Sequence, residues 1–302
     1  MTRTSKNRIT RKIVLSVILF ASSVIMLYPL VYMLLGALAD NDQMYLNASF
    51  LPKPYFTADR IKNFTIVFEA DDFTQSIFIT FARIGFYAVI NVLFSTMAGY
   101  IFSKMEFKGK KIVFLYLMSS MMIPGVAVMV PSYILLNRFP LVGGNDILGA
   151  GGMGFRDNPA VLFVTGWVPV YNMFLMRQSF NSFGSEMKEA AMVDGANHFL
   201  IMFVIYMPLA LPCLAVMLIG MVIGFWNDYM TCLIYLPDLK GWHTIGTKII
   251  DIIDLYGAGG NGVPYYSRIY GISFMFILPP IVVFLIFQRF FISGLAMGAV
   301  KG

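Results

Sequence analysis

A chain of 302 residues, 58% of them hydrophobic and only 13% charged, with a mean hydropathy of +0.74, does not fit a water-soluble domain, where about 25% of residues carry charge. The formal net charge of +6 is unevenly spread along the chain, so membrane topology explains it better than nucleic-acid binding. Two cysteines, Cys213 and Cys232, are too few for a disulfide framework or a metal-ligand set and read as small core residues.

A membrane helix needs roughly 20 mostly apolar residues to cross about 30 Å of hydrocarbon. After a basic N-terminus at 1–12, six such stretches follow, at about 13–39, 74–103, 112–137, 158–177, 199–227 and 269–290. The predicted fold class is all-α: a polytopic membrane protein with six transmembrane helices, forming one transmembrane domain over 13–302. The first stretch, with its basic start and its Ala37-Leu38-Ala39 ending, imitates a secretory signal and cleavage site. Its run is longer than a signal's apolar region of about 7–15 residues, so it is expected to stay as a span. Arg83 lies near the outer end of the second span, where a snorkelling side chain is expected. Prolines at 124, 131, 169, 208, 212, 279 and 280 interrupt the helices, as in a bundle that bends or lines a cavity.

Six spans place both termini on one side. Arg3, Lys6, Arg8, Arg11, Lys12, Lys104, Lys108, Lys110, Lys111, Arg177, Lys188, Arg289 and Lys301 all fall at that set of ends, against four acids, whereas the opposite loops carry eight basic residues and twelve acids. Lysine and arginine mark the cytoplasmic side. Both termini and the loop 184–198 are therefore expected in the cytoplasm, and the long segments 40–73 and 228–268 outside. Long connections are usually functional or disordered.

Several motifs are decoys. Gly149–Gly154 and Gly257–Gly262 both match GxGxxG, but neither joins a strand to a helix as dinucleotide binding requires, and flexible external loops are the plainer reading. No GxxxxGK[ST] occurs, so any ATP that drives this protein is bound by another subunit. His198 follows Asp194 by one helical turn, yet two ligands are too few for catalytic zinc. Neither a metal site nor an enzyme is expected, and no cofactor is assigned to the chain.

The stretch Glu189-Ala190-Ala191-Met192-Val193-Asp194-Gly195 sits just ahead of the fifth span. Ser185 is placed to cap a short helix whose first turns hold Glu186 and Glu189, where acids favour the positive helix end. Ala190 and Ala191 allow close approach, Gly195 suits the left-handed residue that ends a helix, and Asn197 can cap the next one. Pro208 would bend that second helix. On the residues alone, two uses stay open: a docking knob, or an ordinary amphipathic surface helix.

Glu189-Ala190-Ala191, three residues, Gly195, nine residues, then Ile205-Tyr206-Met207-Pro208 resembles the EAA loop of bacterial ABC importer permeases, EAA–x3–G–x9–I–x–L–P. Met207 for leucine is the only departure, a volume-conserving one. Asp194, Ala196 and Phe203 resemble the version of that loop found in carbohydrate importers. Phe225-Trp226-Asn227-Asp228-Tyr229 and the tail 294–302 are similar to the MalG-like subunits. The resemblance implies the MetI/MalG-like permease fold in a bacterial plasma membrane and a sugar substrate. It also implies a second homologous permease, two ATPase subunits that use ATP and Mg, and an extracellular or periplasmic solute-binding protein.

Carried onto this chain, the resemblance makes Glu189, Ala190, Ala191, Asp194 and Gly195 the coupling helix seated in an ATPase cleft, with the tail reaching the same interface. Trp242, Tyr256, Tyr265 and Tyr266 become candidates for contact with the binding protein. For the sugar path, Asn91, Asn172 and Asn227 offer amides that either bind hydroxyls or join helices, and Trp167 and Tyr171 either stack on sugar or anchor at the interface. The alternative function is a secondary transporter or channel for a small polar solute. It calls for intramembrane carboxylates or matched broken repeats, and neither is evident in the spans.

Overall fold

The computed structural model describes residues 3–46, 49–166, 169–258 and 262–299, with side chains described from 11 to 288 within those limits. Among these residues the regular elements are all helical. In chain order they begin with α1 (Arg3–Leu38), α2 (Asn41–Leu46), α3 (Ala58–Thr65), α4 (Phe73–Lys104) and α5 (Lys110–Ser120). There follow α6 (Gly125–Asn137), α7 (Val161–Val164), α8 (Val170–Asn181) and α9 (Glu186–Val193). Arg11–Leu38, Phe73–Lys104 and Tyr266–Gln288 are each long and apolar enough to cross a membrane. Two bent pairs, α5 with α6 at 95° and His198–Leu209 with Leu211–Trp226 at 79°, bring the crossings to as many as five.

Prolines account for both bends. Pro124 stands at the start of α6 and brings no backbone donor to continue α5. Pro208 and Pro212 flank Ala210, the residue between the second pair, and each removes a donor from that turn.

The stretch expected as the fourth span is not one helix. α7 stops at Thr165, whose backbone is extended, Gly166 is left-handed at φ +90°, and α8 starts only after Pro169. A 12-residue helix such as α8 covers about 18 Å, short of the hydrocarbon thickness. Composition alone could not separate this broken segment from a continuous span.

The chain divides into two compact units, one of residues up to Asp71 with Ile249–Pro279 and the other of Asp72–Lys248 with the residues from Pro280 onward. In the first unit, the Ala37-Leu38-Ala39 segment is core. Ala37 and Ala39 are fully buried, the Asn63 side chain donates to the Ala37 carbonyl at 2.8 Å, and the Ser267 hydroxyl donates to the Ala39 carbonyl at 3.0 Å. Asp40 pairs with Arg60 beside them. The segment 40–73 carries α2, α3 and the 3-10 turn Ile66–Glu69, so much of this connection is helical.

In the second unit α4 is the spine, and α8 crosses it at Gly99. A Cβ on Gly99 would lie 2.6 Å from the Met176 Cβ. Gly99→Ala is expected to destabilise by about 1–3 kcal/mol through overpacking, read as a lowered thermal unfolding midpoint of the purified protein. The glycine-rich stretch after α6, expected as a flexible loop, is instead tightly hydrogen-bonded. The Asn145 side chain donates to the carbonyls of Asn137 and Phe139 at 2.9 and 3.0 Å, and one Asp146 carboxylate oxygen accepts from the amides of Leu148 and Ala150. A Cβ on Gly149 would sit 2.0 Å from the Arg138 carbonyl oxygen, so close backbone packing explains the glycines. The segment 228–268 is likewise built from helices, Met230–Tyr235, Lys240–Trp242 and Ile245–Ala258.

Candidate functional site

α9 ends as its sequence suggests. Gly195 has φ +84°, its amide donates to Met192, and the Ala196 amide reaches back to Ala191 at 2.9 Å. Together these bonds make a Schellman turn, which satisfies carbonyls the helix end would leave open. The Asn197 side chain then accepts from the Leu200 amide at 2.8 Å and caps the next helix. The start of α9 differs from expectation: Ser185 is itself helical, at φ −74° and ψ −19°, and makes no side-chain cap. A capping side chain needs an extended backbone at that residue.

The elbow is tied to its surroundings from several directions. Lys188 donates to the Lys104 carbonyl at the end of α4 at 2.6 Å, Lys104 donates to the Phe183 carbonyl, and the Tyr206 hydroxyl donates to the Gly184 carbonyl. Ala191 and Ala196 pack against a core of Tyr100, Phe180, Ile201 and Tyr206. The His198 Nδ1 lies 3.0 Å from the Tyr100 hydroxyl, which ties the start of the next helix to α4. No group of three His, Cys, Asp or Glu that could hold a metal occurs among the described residues. The opposite side of α9 is open: Glu186, Glu189, Ala190, Met192, Val193 and Asp194 are all exposed, Val193 to 88%. A π-helical turn, Ile201–Tyr206, links the elbow to the bend at Ala210. Tail residues 294–302 lie outside the described side chains.

Nearer the start of α4, Arg83 does not snorkel. It is 2% exposed, and its guanidinium donates to Asp228 at 2.7 Å and to the Leu162 carbonyl at 2.9 Å, lying 4.6 Å from the centroid of the Phe225 ring. The same Asp228 oxygen accepts the Thr231 hydroxyl at 2.6 Å, and its other oxygen accepts the Thr231 amide. A carboxylate within reach makes pairing better than a stretch toward water. One turn on, the Tyr87 hydroxyl donates to the Thr165 carbonyl.

Below this pair a cavity of about 600 Å³ is lined by Asn91, Tyr171 and Asn172, with Gly220, Gly224 and Asp228 on another side. The structure thus brings together three of the five residues expected on the sugar path. Asn227 bonds back to its own helix through the Ile223 carbonyl and does not line the cavity, and Trp167 lies outside the described residues. Cys213 is half-buried and Cys232 buried, both free. Of the aromatic residues assigned to outer contacts, Trp242 belongs to the second unit, half-exposed in a 3-10 turn. Tyr256 and Tyr265 belong to the first, edge to face at 6.3 Å with Arg268 over both rings, and Tyr266 stacks on Tyr45.

Residues 91–292 match the family described as the binding-protein-dependent transport system inner membrane component. The chain belongs to that family. Among curated relatives, the permease is 31% identical over 248 residues to the melibiose/raffinose/stachyose import permease protein MelC of Bacillus subtilis, covering 82% of this chain and 83% of that one. It is 28% identical over 295 residues to the arabinooligosaccharides transport system permease protein AraQ of the same organism, covering 96% of each. A solved bacterial ABC transporter involved in import of the acidic polysaccharide alginate has a chain that superposes with a TM-score of 0.74 at 22% identity, covering 96% of the permease and 99% of that chain. At that identity the likeness shows the fold. The permease is an all-α, multi-pass membrane protein of the ABC importer type, and its matched segment contains the cavity, α9 and the elbow.

Proposed function

We propose that the permease is one of two membrane subunits of an ATP-driven sugar importer in a bacterial plasma membrane, with both termini in the cytoplasm. α9 is the coupling knob: Glu189, Ala190 and Asp194 enter a cleft on a separate ATPase subunit, Ala191, expected there as well, instead faces the subunit's own core and seats the knob on it, and Gly195 redirects the chain into the fifth span. The observation that carries this is the geometry of α9, exposed on one side and bonded on the other to the end of α4. A rigid element so tied moves the helices of its unit when it moves, the kind of two-state switching seen in domain closure. An extracellular or periplasmic binding protein delivers the sugar, meeting Trp242 or the Tyr256–Tyr265–Tyr266 cluster. The relatives named for melibiose, raffinose, stachyose and arabino-oligosaccharides support sugars as the substrate class. The fold match to a transporter solved with a pentasaccharide-bound periplasmic protein supports the mode of delivery.

The test is co-expression of the permease with its genomic neighbours and purification on a tag carried by this chain. An ATPase subunit should co-purify, and Val193→Cys should cross-link to cysteines placed in the ATPase cleft. Uptake into vesicles should need ATP inside the compartment that holds the ATPase. Uptake driven by an ion gradient without ATP would overturn the importer reading in favour of a secondary transporter.

A further inference from the structure

We propose, resting on the importer reading, that the cavity between α4, α8 and the helix Leu211–Trp226 is a subsite for neutral oligosaccharide within this subunit, one that refuses uronic acids. Its first support is a buried donor without an acceptor. Asn91 is 2% exposed and lines the cavity; its side-chain oxygen takes a hydrogen bond from Asn172 at 3.3 Å, while its amide nitrogen is buried without a partner among the described residues. A buried polar group left unpaired is costly and calls for an occupant that supplies the missing acceptor. A sugar hydroxyl or ring oxygen does so without bringing charge.

Room is the second support. Gly220 and Gly224 lie one turn apart on the helix Leu211–Trp226, where a Cβ would meet nothing within 4 Å at either position. Neither has a backbone conformation that demands glycine, so what the missing side chains preserve is open volume. About 600 Å³ falls within the range of small-molecule sites, about 300–1,000 Å³. Tyr171, 52% exposed, offers a ring at the margin for the apolar face of a sugar.

Charge sets the class. Asp228 alone carries charge among the described lining residues, and its side chain is 21% exposed. The guanidinium that balances it, Arg83, is buried behind it and already committed to Asp228, the Leu162 carbonyl and the Phe225 ring. The cavity therefore presents acceptors and an amide donor to hydroxyl groups, with no cation free to meet a substrate carboxylate. A uronate would bring its charge toward Asp228 uncompensated, a repulsive device for specificity.

The assembled importer, reconstituted in proteoliposomes, is given two pooled ladders and its contents are read by mass spectrometry. One holds neutral di- to tetrasaccharides of glucose, galactose and arabinose; the other holds oligogalacturonates of the same lengths. Neutral sugars should accumulate at least tenfold over the uronates. Gly220→Leu should cut uptake of the tri- and tetrasaccharides at least tenfold in a complex that still co-purifies intact, and Asn91→Leu should lower uptake at limiting sugar. Equal uptake of the uronates, or normal uptake by Gly220→Leu, overturns the subsite and leaves the importer reading standing. Loss of the partner permease from Gly220→Leu also overturns it, by making Gly220 and Gly224 a close helix contact between subunits. If the wild-type chain co-purifies with no ATPase and accumulates neither ladder, both readings fall together.

Discussion

Gly195→Ile is expected to cut ATP-driven uptake at least a hundredfold while the assembled complex still hydrolyses ATP. The cause is conformational. Gly195 holds φ +84°, and a Cβ there would meet nothing within 4 Å, so no steric clash with a neighbour confuses the result. A left-handed backbone costs a non-glycine residue about 1–2 kcal/mol, and a β-branched side chain is a genuine outlier there. Isoleucine therefore favours breaking the two bonds that close α9, from Gly195 to Met192 and from Ala196 to Ala191. With them goes the packing of Ala191 and Ala196 on the core around Tyr206, and α9 becomes a knob on a slack tether. Gly195→Asn is the decisive control, because asparagine tolerates the left-handed region. Asparagine should preserve most uptake. If it fails as badly as isoleucine, the residue serves as contact surface and not as an elbow; if isoleucine transports normally, the elbow has no part in coupling.

That elbow was legible because it is local. Gly195, Asn197 and Pro208 act on residues within a turn or two, and a reader of the chain needs only helix-end chemistry to place them. Ser185 misled for the same reason, since a serine at the right spacing says nothing about the φ and ψ it will adopt. The sugar path was partly legible: buried amides such as Asn91 and Asn172 attract notice in apolar helices, yet Gly220 and Gly224 could not be told from packing glycines until the space around them was known. The broken fourth span left a trace in Gly166 and Pro169, which a scan for apolar length passes over. Short helices in 40–73 and 228–268 escaped because they are too brief and too polar for a search tuned to membrane crossings. Arg83 and Asp228 stand 145 residues apart; seen singly, each has a plausible life at a membrane surface, and only the fold makes them partners.

That partnership predicts an asymmetry. Asp228→Leu should destabilise the permease by about 3–5 kcal/mol, the cost of leaving one member of a buried pair uncompensated, and lower its unfolding midpoint by roughly 10 °C. Arg83→Met should cost clearly less. Arg83 is 2% exposed, and without Asp228 its charge keeps only neutral partners, the Leu162 carbonyl, the Phe225 ring and the Thr165 and Thr231 hydroxyls at 3.5 Å, whereas Asp228 without Arg83 retains the Thr231 hydroxyl at 2.6 Å, the Thr231 amide and a side chain 21% exposed. The double substitution removes both charges and should recover most of what Asp228→Leu alone loses, since an apolar replacement of a buried pair is often neutral. Thermal unfolding of the four proteins closes the cycle. Equal losses from the two single changes, or losses that simply add in the double, would mean that the pair is open to water and that the arginine reaches solvent after all. Should the double variant fold well but lose discrimination between neutral and acidic sugars, the pair's stability and its charge in the cavity would prove to be separate properties of the same two residues.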